Sequence, residues 1–201
     1  RTFFTLAQNG MKLFDFTLKV PGRHNALNAA AGAIACKQLG LSWEQIAKGL
    51  LKFGGTKRRF EQVGRIGDIR IVDDYAHHPT EIKAQLAGLR EWFPKNRIVV
   101  VFQPHTYSRT KALMNEFAHA FQNAQMVLLT DIYSSARETD TLGITGKTLV
   151  EETAKHHSNV FFAPDFSAVN KLLRQHMQSN DVILFMGAGD IYGWSKRFIE
   201  K

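Results

Sequence analysis

The chain has 201 residues, a net charge of +8, 44% apolar and 22% charged residues, and a single cysteine. One cysteine excludes an internal disulfide framework and a thiolate zinc cage, and the longest apolar runs, at 98–102 and 182–186, are five residues against the roughly 20 of a membrane helix. The composition predicts a soluble, cytosolic globular protein of one domain or one and a half. The chain opens on Arg1 with no leader pattern, which suggests a piece of a longer gene product.

The positive charge is unevenly spread. Residues 1–60 carry ten basic and two acidic side chains, and residues 61–201 carry sixteen of each. The break falls near Gly54-Gly55, which predicts an incomplete unit over 1–55 and a second domain over 56–201 whose charge is balanced beyond residue 60. The basic excess alone would fit a polyanion such as nucleic acid, but no aromatic stacking platform lies among those residues.

In chain order, KLFDFTLKV at 12–20 predicts a strand closed by Pro21-Gly22. An alanine-rich helix is expected from 23 to 39 with Gly40 beyond its end, and a second helix after Ser42, with Gln45 at the capping-box position. Beyond the glycine pair, strands are expected at 60–66, 69–73, 97–102, 126–130, 160–163 and 182–186. Helices are expected at 79–92, 109–124, 146–157, 165–178 and 190–200. This alternation predicts an α/β fold: a Rossmann-like, mainly parallel sheet with helices on both faces and an antiparallel first strand at one edge. Ligands in such folds bind at the carboxyl ends of strands.

Those ends are where the chemistry-bearing residues fall. After the strand at 69–73 comes Asp73-Asp74-Tyr75-Ala76-His77-His78-Pro79, a dense group of carboxylates, phenol and imidazoles. Asp74 could equally support the turn, and Pro79 fits a first helical turn. After 97–102 comes Gln103-Pro104-His105-Thr106-Tyr107-Ser108-Arg109. With the two strands as neighbours, His105 and Arg109 face His77 across one crevice, and Arg109 suits a bidentate grip on a carboxylate. Upstream, His24, Asn25 and Asn28 open the first helix. Asn25 is either the helix cap or, with Asn28, a nucleotide contact. Lys57, Arg58 and Arg59 follow the glycine hinge, from which an arginine could swing onto a polyphosphate. GITGKT at 143–148 has two residues between its glycines where a phosphate loop needs four, and predicts only a loop and helix start. GAGD at 187–190 is too short for a dinucleotide fingerprint but is expected to line the crevice.

GRHNALN, TKRRFE, DDYAHHPTEI, FQPHTYSRT, YSSARE and FMGAGDIY, in this order, resemble the C-terminal part of the Mur ligase family. Within it they resemble the branch that joins L-alanine to UDP-N-acetylmuramate in peptidoglycan synthesis. The resemblance spans essentially the whole chain and implies the tail of the central ATP-binding domain over 1–55 and the amino-acid-binding domain over 56–201. It implies ATP with Mg2+, the metal ligands and the glycine-rich ATP loop lying outside this chain, and a reaction through an acyl phosphate. Its partners are UDP-N-acetylmuramate, L-alanine and ATP, with neither nucleic acid nor membrane, and self-association is left open. By the same resemblance His24, Asn25 and Asn28 contact ATP, and Arg59 and Asp74 reach its phosphates and ribose. Tyr75, His77, His105 and Arg109 receive L-alanine; Arg59, Asp74 and His77 are the catalytic candidates. Thr106 stands where some members have arginine and carries no role. The alternative reading is a metal-dependent phosphohydrolase with Asp73, Asp74, His77, His78 and His105 as ligands.

Overall fold

Two short strands joined by Asn9-Gly10 begin the computed structural model, which describes every residue except 136, 137, 139 and 201. Strand β1 (Thr2–Gln8) pairs antiparallel with β2 (Met11–Leu18), Gln8 facing Met11. Asn9 (φ 50°) and Gly10 (φ 80°) both take positive φ. That is the backbone geometry of a type I′ hairpin turn. Only β2 was expected. Asn9-Gly10 was the signal for β1, because Asn-Gly is the dipeptide most tolerant of two consecutive left-handed residues.

The hairpin is covered by α1 (Arg23–Gln38) and α2 (Trp43–Lys52). Helix α1 ends as expected. Gly40, at φ 92°, donates to Lys37 O, and Leu41 donates to Cys36 O, so carbonyls orphaned by the helix end find partners. Ser42 caps α2 reciprocally with Gln45. Phe16, Ala33 and Ile46 form a small core there, with Phe4, Phe14 and Trp43 packed around it. Asn25 is not the cap of α1: Gly22 occupies that position at φ 94°, and the Asn25 amide donates back to Pro21 O at 2.6 Å.

The larger unit is a six-stranded sheet built from β3 (Glu61–Ile66), β4 (Ile69–Asp74), β5 (Ile98–Phe102), β6 (Met126–Leu129), β7 (Val160–Phe162) and β8 (Val182–Met186). The spatial order is β3-β4-β8-β5-β6-β7, with β3 antiparallel at the edge and the rest parallel. The expected mainly parallel α/β architecture is therefore present. One placement differs: β4 and β5 are not neighbours, because β8 lies between them and pairs with both.

Period-two alternation sends each central strand's side chains to two cores. Ile98, Val100 and Phe102 of β5 join Val182, Leu184 and Met186 of β8 on one face. Helix α3 (Pro79–Trp92) covers them with Ile82, Leu86 and Leu89, alongside Phe117, Phe121 and Leu149. Val99, Val101, Ile183 and Phe185 face the other way, onto Val169 and Leu173 of α7 (Phe166–His176) and Trp194 and Phe198 of α8 (Tyr192–Glu200). Each fully buried large apolar side chain contributes about 1.5–3 kcal/mol by leaving water, so these two layers dominate the domain's stability.

The helix expected at 109–124 is instead two short ones, α4 (Tyr107–Ala112) and α5 (Met114–Ala118), broken at Leu113. The break lets Leu113 and Met114 pack on the core that Phe117 and Phe121 enter. Helix α6 (Gly146–Ala154) begins at the GITGKT segment with Thr145 as its cap, as expected of a helix start. Its Gly146 passes so close to the end of β6 that a Cβ would stand 2.1 Å from Thr130 O.

Candidate nucleotide and amino-acid sites

Two groups of side chains meet at the carboxyl end of the sheet. The first lines a cavity of about 620 Å³ between the hairpin unit and the sheet, within the usual range of a small-molecule site. His24, Asn25 and Asn28 come from α1, Arg59 from the hinge, and Asp74 from the end of β4, over a floor that includes Val20, Ala29, Leu50 and Phe53. All five residues expected on the nucleotide side therefore share one cavity. Asn25 and Asn28, three apart, project from one face of α1. Burial and the nearby Arg59 cation hold the His24 imidazole below its usual range, which favours its neutral form.

Asp74 lines this cavity and also supports the turn. Its carboxylate accepts from the Phe60 and Ala76 amides, both at 2.8 Å, and it is 2% exposed. Burial pushes its pKa up, and the two amide bonds pull it partly back. Arg59 stands free of such ties, its guanidinium 5.5 Å from the Tyr75 ring.

The second group runs from Tyr75 across the top of β8. The ring centroids of Tyr75 and His77 are 5.1 Å apart, those of His77 and His105 6.4 Å, and His105 stacks on Tyr133 at 5.6 Å. The intervening strand does not keep His77 from His105: β8 ends at Met186, and the glycine loop beyond it runs close to Gln103, where a Cβ on Gly187 would stand 2.8 Å from Gln103 O. A Cβ on Gly189 would meet Gln103 Oε1 at 2.3 Å and Tyr133 Cγ at 2.7 Å. Gln103 holds that loop by donating to Asp190 Oδ1 and accepting from the Ile191 amide. The GAGD glycines thus serve close approach.

Arg109 Nη1 and His105 Nδ1 are buried without a hydrogen-bond partner in the protein. Buried donors and acceptors are normally satisfied, which makes this pair a candidate for ligand contact. Burial, then the Arg109 cation and His77, lower the His105 pKa and favour a neutral ring. His77 Nδ1 is engaged with Tyr75 O at 2.9 Å. His78 is occupied structurally: it caps α3, its Nδ1 accepting from the Thr80 amide. Thr106 adopts φ 72° at the cap of α4, and Glu138 accepts from the amides of Tyr107 and Ser108.

Sequence reasoning assigned no role to Tyr133, Gln103, Glu138 or Tyr192, whose parts depend on contacts across the fold, and read Arg58 only as one of three cations from which an arginine could swing, whereas its side chain is anchored on Gly187 O and between the Tyr75 and Tyr192 rings. Ala136 and Arg137, within the YSSARE motif, lie outside the described residues. The metal reading fails on geometry. Asp73 turns to Ser195 while Asp74 is taken by backbone amides, and among the described residues no three His, Cys, Asp or Glu side chains form a metal cage.

The family model described as Mur ligase, glutamate ligase domain, matches residues 58–189. This chain belongs to the Mur ligase family. Among Mur ligases, it is 42% identical over 198 residues to the UDP-N-acetylmuramate–L-alanine ligase of Agathobacter rectalis, covering 98% of this chain and 43% of that protein. It is 44% identical over 200 residues to the enzyme of the same name from Salinibacter ruber, covering 99% and 42%. The crystal structure of the UDP-N-acetylmuramate-alanine ligase MurC from Thermotoga maritima superposes with a TM-score of 0.84 at 33% identity, covering 98% of this chain and 42% of that one. The chain therefore spans about two fifths of the length of these Mur ligases. No helix among the described residues is long and apolar enough to cross a membrane.

Proposed function

We propose that this chain supplies the amino-acid-binding and closing part of a UDP-N-acetylmuramate–L-alanine ligase acting in the cytoplasm in peptidoglycan synthesis. Residues 1–55 are the tail of a central ATP-binding domain and residues 56–201 the C-terminal domain. Two observations support this division. The family match begins just past the glycine hinge, and nine of the eleven exposed large apolar side chains among the described residues, Phe3 through Phe53, lie before it.

ATP transfers its γ-phosphate to the lactyl carboxylate of UDP-N-acetylmuramate. The amine of L-alanine attacks the resulting acyl phosphate, forming the amide and releasing inorganic phosphate. No protein nucleophile is needed, so the task of this chain is positioning and charge neutralisation, with positioning worth about 7–11 kcal/mol when geometry is tight. Asn25 and Asn28 read the adenine edge beside His24, and Arg59 meets the phosphates. Asp74 acts through the turn that it holds between Phe60 and Ala76. The Mg2+ that accompanies ATP would be held by residues outside this chain, as the family resemblance implies.

Arg109 grips the alanine carboxylate, and neutral His105, with His77 and Tyr75, surrounds its amine. The observation that carries the reading is the pair of buried unpartnered groups, Arg109 Nη1 and His105 Nδ1, joined to the nucleotide cavity through His77 and Tyr75. Losing a charge-assisted grip costs about 1.5–3 kcal/mol, or roughly 10- to 150-fold. Arg109→Ala in the full-length enzyme should raise the KM for alanine by that factor with little change in the KM for ATP. An unchanged alanine KM would remove Arg109 from the pocket.

A further inference from the structure

Arg58 precedes Arg59 and has none of its freedom. Its guanidinium lies between two rings, 4.6 Å from the centroid of Tyr75 and 4.8 Å from that of Tyr192. Its Nη2 donates to Gly187 O at 2.7 Å, and its Nε stands 3.7 Å from Asp73 Oδ1. The backbone is held as firmly, the Arg58 amide donating to Glu61 at 2.8 Å and its carbonyl accepting from the Tyr75 amide at 2.7 Å. A side chain that ends on the β8 loop, on β4 and on α8 ties the hinge to three separate parts of the sheet domain.

The backbone on either side of Arg59 is unusual. Arg58 (φ 58°) and Phe60 (φ 53°) are both left-handed. Bulky L-residues adopt that conformation only where the surroundings over-determine it. Phe60 is fixed by the hydrogen bond that its amide donates to Asp74 and by the rings of Trp92 and Phe93, at 6.0 and 6.3 Å. Arg59 is thus presented between two residues whose side chains are both anchored in the sheet domain, while its own lines the cavity.

We propose that Arg58 is a positioning residue for Arg59: it bolts the hinge to the carboxyl end of the sheet so that the next side chain is directed into the nucleotide cavity. The proposal rests on the ligase reading, in which Arg59 meets ATP phosphates. Asp73 is the bolt's counter-charge. The groups facing it are Arg58 from the hinge, Asp74 on β4, Glu61 on β3 and Ser195 on α8. Burial pushes the Asp73 carboxyl up to about 6, against the pull of Arg58. Below that pH Asp73 is neutral and the bolt loses its charged partner.

The test uses the full-length enzyme with Arg58→Gln and Arg58→Lys. ADP affinity is measured by calorimetry between pH 5.5 and 7.5, the KM values for ATP and alanine separately, and the thermal midpoint alongside. Arg58→Gln should weaken ADP binding and raise the ATP KM by about tenfold, the size of one lost ionic restraint, with the alanine KM within about twofold. Wild-type ADP binding should weaken as the pH falls toward 5.5 more steeply than that of Arg58→Gln. Protonation of ADP and of His24 is common to both proteins and cancels in the comparison. Arg58→Lys, which can still donate to Gly187 O, should fall between the two. If Arg58→Gln fails to fold, Tyr192→Leu removes one face of the ring sandwich at an exposed position and should shift ADP affinity in the same direction. A folded Arg58→Gln with wild-type ADP affinity and pH profile would overturn the proposal. So would a lowered thermal midpoint with both KM values raised equally, the mark of a purely structural role. ADP binding requires no amide formation, so an enzyme that ligated a different amino acid would sink the alanine reading and leave this comparison intact.

Discussion

Asp73 shows how a single residue can cost stability where it serves geometry. Its carboxyl is 2% exposed, and burial raises its pKa from 3.8 to about 6. The folded state therefore binds the proton more tightly than the unfolded chain. The stabilisation from that proton is fully present below about pH 4 and is lost as the pH rises through 6. Above pH 6 the charged group costs the native state about 3 kcal/mol relative to the protonated one. Asp73→Asn, which keeps the shape without the charge, should stabilise the protein by up to about 3 kcal/mol in urea unfolding at pH 7.5, and by little at pH 4. A loss at pH 7.5 that disappears at pH 4 would mean that the ion pair with Arg58 outweighs the desolvation. At this scale the sequence located the polar residues after β4 and β5, because crowding at strand ends is a local pattern. It could not reveal Arg58, Gln103 or Tyr133. Arg58 and Gly187 are 129 positions apart, Gln103 and Asp190 are 87, and only the folded sheet brings them together.

Elements differ in how much their own sequence settles. The runs IVVVF and VILFM could be read as central strands, and both are buried along their whole length. The cap at Ser42 was equally plain, since a capping box acts over a few residues. Strand order was not legible: nothing within VILFM says that it will lie between β4 and β5, since pairing partners are chosen by the whole sheet. Nor was the break at Leu113, where helix propensity continues and tertiary packing overrides it. The start of α6 gives a direct test of element packing. A methyl group on Gly146 would meet the backbone oxygen of Thr130, which no rotamer change relieves. Gly146→Ala should therefore cost about 1–3 kcal/mol through displacement of α6 from β6, measured as a shift in denaturation midpoint at unchanged m-value. An effect under about 0.5 kcal/mol would show that the helix start moves freely.

At the scale of the whole molecule, the two units are held together differently from the way each is held internally. The sheet domain has two continuous cores, whereas the hairpin unit has small clusters around Phe16 and Leu18 and leaves Phe3, Met11 and Leu39 more than two thirds exposed. Contact between them includes α3, where a Cβ on Gly88 would stand 3.1 Å from Gly22 Cα. Residues 56–201 expressed alone should retain a single cooperative unfolding transition and bind less of a hydrophobic dye than the 201-residue chain. Loss of cooperativity would show that the hairpin unit is needed to complete the domain. Much of the positive charge that first suggested a polyanion partner lies on the hairpin unit and on the Lys57-Arg58-Arg59 run at the start of the sheet domain, which between them line the 620 Å³ cavity with His24 and Arg59, and the chain beyond residue 60 is balanced.

The position of β8 bears on how such a domain is made. A chain leaves the ribosome from its amino end at about 5–20 residues per second. Strands β4 and β5 therefore emerge well before the strand that must separate them. Until residues 182–186 appear, both β4 and β5 have one unpaired edge along the future centre of the sheet. The last strand lies between them and pairs with both edges, with the Gly187 carbonyl that receives Arg58 directly behind it. The sheet and the crevice at its end therefore both wait on the same few residues.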